Sequence, residues 1–180
     1  FNRPDLLAMV IDRLRQVSPP RVYLVVDGPR PERPGEDDRV QACRDLATTI
    51  DWGCELLTLF RDSNAGCGRG VSGAITWFFE HEERGIILED DILPDLTFFG
   101  YVCELLDRYA DDDRVGAITG TNFVPPSEQD DSSTYRFSRV PIVWGWGTWR
   151  RVWDDYRFDL GGWRTRLPVR RAWCNSSARV

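Results

Sequence analysis

Three consecutive carboxylates, Glu89-Asp90-Asp91, follow a short apolar run, Ile86 to Leu88. Like charges crowd one another there unless a cation or hydrogen-bond donors compensate them. If the apolar run is a buried strand, the triplet stands at its carboxyl end, where open α/β sheets take their ligands. It would there hold a hard cation against a phosphorylated ligand. The competing reading is a solvated acidic turn capping the helix that follows Pro94; the buried strand in front favours the metal. Asp111-Asp112-Asp113 follows an amphipathic helix with no buried strand before it, and reads as a solvated connector.

Arg61 to Gly70 (RDSNAGCGRG) is a second candidate. Its glycines let backbone N–H groups approach a phosphate or ribose, and the helix expected from Val71 would offer its N-terminus to an anion. Neither the G-x-x-x-x-G-K-[ST] loop nor the strict dinucleotide fingerprint is present, which argues against kinase and dinucleotide-binding functions. Trp144, Trp146, Trp149 and Trp153 crowd one segment broken by Gly145 and Gly147. Aromatic faces stack on sugar rings, so Trp144 and Trp146 divide evenly between ligand-facing and packing roles. Trp149 and Trp153, at i and i+4, read as the buried stripe of a short helix. The single histidine, His81, lies at the acidic end of a helix and reads as a surface residue. Five cysteines without C-x-x-C spacing indicate neither a zinc site nor a disulfide framework, fit a reducing compartment, and have core packing as their default role.

The elements that must position these residues alternate. Pro4 and the spacing of Leu6, Leu7, Val10, Ile11 and Leu14 predict a helix over 5–16. Val22 to Val26 reads as a buried strand running into Asp27-Gly28 and a Pro- and acid-rich loop, 29–38. A helix over 38–49, a strand over 55–60, a helix from Val71 to the acidic run 80–83 and a strand over 86–88 follow. A helix over 96–109 and a strand over 115–119 complete a βαβα pattern, an α/β fold with a mainly parallel sheet flanked by helices. After Thr121 come a polar loop, a strand candidate at 135–138, and the Trp-rich stretch 144–163, expected to cap the sheet.

With 180 residues and 20.8 kDa, the chain fits one domain, 1–180, in which 1–120 carries the βα part and 121–180 an incomplete second part. Phe1 is not an initiator methionine and the last residues close no element, so the sequence is expected to be cut at both ends from a longer protein. A hydrophobic content of 42% excludes disorder, and no apolar run approaches the roughly 18 residues of a membrane span. The net charge of −6 argues against nucleic-acid binding. All 23 basic residues are arginine, a composition suggesting a GC-rich bacterial genome. Residues 1–135 carry −13, whereas 136–180 carry +7. That basic quarter either packs against an acidic segment outside the sequence or meets an anionic substrate or membrane headgroups.

Asn2-Arg3-Pro4, Val25-Val26-Asp27-Gly28, the run EDDILPDLTFFGY at 89–101 and Trp144-Gly145-Trp146 resemble, in order and spacing, the nucleotide-diphospho-sugar transferases of the GT-A (Rossmann-like) fold. The likeness covers roughly residues 1–160 and is similar in particular to the N-acetylglucosaminyltransferase I family and bacterial family 2-like glycosyltransferases. It implies that Asp91 ligates Mn²⁺ (or Mg²⁺) on the diphosphate of a sugar nucleotide, that Glu89 and Asp90 face the donor sugar and ribose, that Asp27 accepts the uracil N–H, and that Arg3 reaches the diphosphate. The family's loop histidine is missing: Gly68 stands at that spacing, and Arg69 or Arg61 would substitute. The implied reaction moves a sugar from a nucleotide diphosphate, UDP in the first instance, to a hydroxyl acceptor with inversion, in the cytoplasm or peripherally at the inner membrane face.

Two rivals share the sheet. A nucleotidyltransferase would want a G-G-x-G-[ST]-R loop where Asn2-Arg3-Pro4 stands, and a nucleotide- or sugar-binding module would bind without transfer. The resemblance also implies a central strand ahead of Asn2, so a gap is expected between the strands at 22–26 and 86–88. Trp153-Asp154-Asp155 looks like the family's W-D-D signature of the catalytic base but falls too soon after Trp146. These aspartates are expected to be helix-end carboxylates, with the base beyond Val180.

Overall fold

The computed structural model describes residues 1–125 and 133–160. Helix α1 (Pro4–Val17) opens with Pro4 in its first turn, buries Val10 and Ile11, and ends at Ser18, whose left-handed backbone returns its N–H to the Leu14 carbonyl. Strand β1 (Arg21–Val26) buries Val22, Leu24 and Val26 and pairs in parallel with β2 (Glu55–Phe60), in register from Arg21–Glu55 to Val26–Phe60. Between them lie α2 (Glu36–Asp45) and a 3-10 turn, Leu46–Thr49. Then come α3 (Cys67–His81), β3 (Arg84–Ile87), α4 (Leu96–Arg108), β4 (Ile118–Thr119), β5 (Trp146–Trp149) and α5 (Arg150–Trp153). The chain is a small mixed α/β domain in which helices and strands alternate as the apolar periodicity predicts. No helix among the described residues is long and apolar enough to cross a membrane.

The sheet departs from the expected mainly parallel arrangement. Among the described residues β1 and β2 are the only strands paired in parallel; β5 lies between β3 and β4 and is antiparallel to both. The Trp-rich segment does not cap the sheet but enters it, and Gly147 makes room. A Cβ there would stand 2.5 Å from Cγ1 of Val102, a fully buried α4 residue. Helix α3 starts four residues before Val71, because the second half of the glycine-rich segment forms its first turn. Neither Tyr135 to Ser138 nor Val115 to Ala117 is a strand. Tyr135 instead meets the hydroxyl of Tyr109 at 2.6 Å and accepts from Arg108 at 3.2 Å, and Val115 enters the core.

Two cores result. One packs Phe98, Val102, Leu105 and Leu106 of α4 against Val115, Ile118 and Trp149; the other packs Leu24 and Val26 of β1 against Val40 and Cys43 of α2. Among the described residues no strand pairs with the edge of β1 or β3 that faces away from β2 or β5. Side chains join the two sheets there. Tyr23 donates its hydroxyl to Glu82 at 2.8 Å, Arg21 pairs with the same carboxylate, and the Tyr23 and Phe78 rings meet edge to face at 4.9 Å.

A paired substitution tests the Gly147 contact. Gly147→Ala should lower stability by about 1–3 kcal/mol, the usual cost of overpacking a core. Gly100→Ala, on the exposed face of α4 with nothing near the added methyl, should raise it by about 0.5–1 kcal/mol. Equilibrium urea unfolding measures both; equal effects would mean that β5 and α4 separate at no cost.

Candidate functional site

Three segments meet where β1 and β3 end. Val26 hands the chain to Asp27-Gly28, β3 runs through Leu88 into the triplet, and residues 1–3 lead into α1 across the same end. The guanidinium of Arg3 bonds the last of these to the triplet: Nε donates to Asp90 at 3.2 Å, Nη2 donates to the other Asp90 oxygen, and Nη1 donates to Asp91 at 3.0 Å. Burial works to push the Asp90 carboxyl up, and the Arg3 guanidinium works to hold it down. Glu89 has no such partner among the described residues, and partial loss of water followed by the charges of Asp91 and Asp90 push it up. The triplet does not cap the helix behind Pro94; Asp95 does, accepting from the Thr97 N–H at 2.9 Å. The crowding anticipated from sequence is thus met by a cation from the chain itself.

Asp27 is placed at the same end but faces inward. Its oxygens accept from the N–H groups of Gly28 at 3.1 Å and Ala65 at 3.0 and 3.1 Å, and Arg61 approaches to 3.8 Å. A Cβ on Gly28 would fall 2.4 Å from the Ser63 backbone, so only glycine lets the loop close on β1. Asp27 and Arg61 therefore fasten the glycine-rich loop, whose Gly70 packs against Asp27.

Arg69 is not brought to the triplet. It lies over the Phe158 ring, 5.9 Å from its centroid, beside an open cleft of about 590 Å³ lined by Thr76, Trp77 and Tyr156. Trp146 stands opposite Ile87 in β5, and Gly145 packs on Leu88 and Ile92, so the Trp144–Trp146 segment borders the acidic turn. The Trp144 ring is 57% exposed and meets Phe123 edge to face.

Trp149 and Trp153 do not form one helical stripe. Trp149 closes β5, buried, and donates its indole N–H to the Leu106 carbonyl at 3.2 Å, while Trp153 ends α5 and donates to Thr76 at 3.0 Å. Asp154 and Asp155 are exposed beyond α5, Asp155 beside Arg151 and Asp113. Cys43 is core as expected, but Cys67 and Cys103 are exposed and Cys54 half-buried, all free. His81 is exposed. Trp163 and Cys174 lie outside the described residues.

Comparison with protein-family models, curated proteins and solved structures found no match.

Among the described residues no three His, Cys, Asp or Glu side chains converge as a metal cage. Asp91, with 46% of its side chain exposed, offers a single oxygen donor. That fits a hard cation that takes its remaining ligands from phosphate oxygens and water.

Glu36 was not singled out in the sequence. It is 2% exposed and accepts from Asn2 at 2.8 Å and from the Arg30 backbone N–H at 2.8 Å and Nε at 3.0 Å. It thereby anchors the segment that carries Arg3. The Arg30 side chain, against the opposing cost of burial, pulls its carboxyl down to about 2. The only signal in the sequence is an acid in the first turn of α2 with an arginine six residues before it, a pattern common to solvated helix starts.

The unfolded Glu36 carboxyl takes a proton near its ordinary 4.5 and the folded one only near 2, so its stabilisation is complete above about pH 5 and lost as pH falls to about 2. Glu36→Gln should lower the Tm at pH 7 and flatten its decline between about pH 5 and pH 2. Thermal melts across that range check it; parallel curves for the two proteins would remove Glu36 from the acid response.

Proposed function

We propose that the chain is the nucleotide-sugar-binding part of a metal-dependent glycosyltransferase of the GT-A kind, which passes a sugar from a nucleotide diphosphate, UDP in the first instance, to a hydroxyl acceptor with inversion. One observation supports it above the rest: Arg3, just before α1, is bonded to the acidic triplet 87 residues away, in the segment that follows β3. In this reading Asp91 would hold Mn²⁺ or Mg²⁺, which supplies charge neutralisation for the departing nucleoside diphosphate. Arg3 binds the diphosphate by charge-assisted hydrogen bonds, and the fork of its guanidinium suits paired phosphate oxygens. Glu89 and Asp90 face sugar and ribose hydroxyls, and Trp144 and Trp146 border the sugar. Asp154 and Asp155 are left out of the chemistry, since Asp155 neighbours Arg151 and Asp113.

A binding module without transfer is the second reading. It is favoured by the exposed placement of Asp154 and Asp155 beyond α5, which leaves the acidic triplet without an assigned catalytic base among the described residues.

Asp91→Asn should abolish the rise in Tm that UDP produces in the presence of Mn²⁺, whereas Asp113→Asn, whose side chain is 96% exposed, should keep it. Equal shifts in both variants would return the triplet to a solvated turn. Mn²⁺-dependent release of sugar from UDP-sugars, lost in Asp91→Asn, separates the enzyme from the module. Asp155→Asn should keep most of kcat; a loss of about a hundredfold at unchanged donor affinity would make Asp155 the base after all.

A further inference from the structure

We infer that the strip 136–143 is a lipid-docking surface: its apolar side chains seat among the headgroups of an anionic bilayer while Arg136 and Arg139 pair with the lipid phosphates and carboxylates. The inference does not rest on the reading of the acidic triplet. Phe137 is 70% exposed, Val140 69%, and Pro141 and Val143 are exposed beside them. The strip continues into the exposed rings of Trp144 and Phe123. Its backbone is held from behind. Tyr135 ties the start to α4 through Tyr109 and Arg108, and the Phe137 ring leans edge to face on Tyr109. Ser138 closes a turn by donating to the Val140 carbonyl at 3.2 Å and accepting from the Val140 N–H at 3.1 Å. Thr121 donates to the Trp144 carbonyl at the far end. The anchoring contacts thus leave Phe137 and Val140 turned largely to solvent.

Charge selects the partner. Between Asp131 and Asp154 the sequence carries arginines at 136, 139, 150 and 151 and no acid. Arg150 and Arg151 are engaged by carboxylates, as are Arg108 and Arg114 nearby, whereas the exposed Arg136 and Arg139 pair with no acid among the described residues. Two unpaired cations set among apolar side chains suit a surface that is anionic outside and apolar just beneath. A protein interface depletes charge from its apolar centre, and burying Phe137 and Val140 there would bury the arginines with them. At a lipid interface the apolar groups go down while the guanidiniums stay at headgroup level. The strip is neither helix nor strand, so its backbone N–H and C=O groups keep it out of the hydrocarbon and only side chains dip in. The association is peripheral and salt-sensitive.

Flotation of the chain with vesicles of phosphatidylcholine mixed with phosphatidylserine, and with vesicles of phosphatidylcholine alone, tests this. The wild type should float with the anionic vesicles, and added salt should release it. Arg136→Gln with Arg139→Gln should weaken that binding on the order of twentyfold, at about fivefold for each arginine near an anionic surface. Phe137→Ser with Val140→Ser should weaken it at least about tenfold. Arg33→Gln with Arg39→Gln, the same charge change on exposed arginines at α2, should leave it unchanged. If circular dichroism shows the Phe137 variant unfolded, Val140→Ser with Val143→Ser carries the test. Trp144 is left intact, so failure here is separate from failure of the sugar-site reading. No flotation of the wild type, equal flotation on phosphatidylcholine alone, equal losses in the two arginine pairs, or wild-type binding by the Phe137 variant would each overturn the inference. So would a wild-type dimer in sedimentation velocity that Phe137→Ser with Val140→Ser dissolves, since the strip would then be covered by a second copy of the chain.

Discussion

A single guanidinium placed across two adjacent carboxylates is the interaction on which this arrangement turns. Without Arg3, the end of β3 would bring three acids together beside a half-buried strand, and the repulsion would have to be relieved by water or by a bound ion. With it, the start of α1 is tied to the end of β3, although the sheets containing β1 and β3 share no backbone ladder. The same end of the domain is fastened twice more. Glu36 clamps Asn2 and Arg30, and Asp27 clamps the glycine-rich loop.

Those contacts also rank the acids by how far the chain itself engages them. Glu36 and Asp27 have their oxygens filled by N–H groups of the chain, and Asp90 accepts from two nitrogens of Arg3. Asp91 and Glu89 are the least engaged, one held by a single Arg3 nitrogen and the other pushed toward its neutral form by burial and by its two neighbours. Charge count alone does not make that distinction; geometry does.

Much of this was legible from residue patterns. The helices at Pro4, Leu96 and the 67–81 region follow from apolar spacing, and β1 and β2 from continuous apolar runs, because each buries one face against a neighbour from the same half of the chain. The triplet's need for a partner was legible too, since it follows from like charge alone. The partner's identity was not: Arg3 lies 87 residues from Asp90, and nothing local to either marks the other apart from the family resemblance. The antiparallel insertion of β5 was hidden for a similar reason. Trp146 to Trp149 carries helix-compatible aromatic spacing, and what makes it a strand is the clearance between Gly147 and Val102, a property of two distant elements. Glu36 escaped because an acid opening a helix is ordinary until its burial is known.

The basic last quarter of the sequence changes meaning once Arg151 is followed. Its Nε donates to the Ala110 carbonyl at 3.0 Å and its Nη2 to those of Tyr109, Asp112 and Val115, each at 3.1 Å, while its plane lies over the Trp149 ring. Arg150 likewise donates to the Glu82 carbonyl. These two charges serve as internal scaffolding for connectors and are already spent before any anionic partner arrives. A lysine at 151 would keep the formal charge but could neither present a flat fork to four carbonyls nor lie along an indole. At this position the chain's exclusive use of arginine has a mechanical meaning that genome composition does not supply.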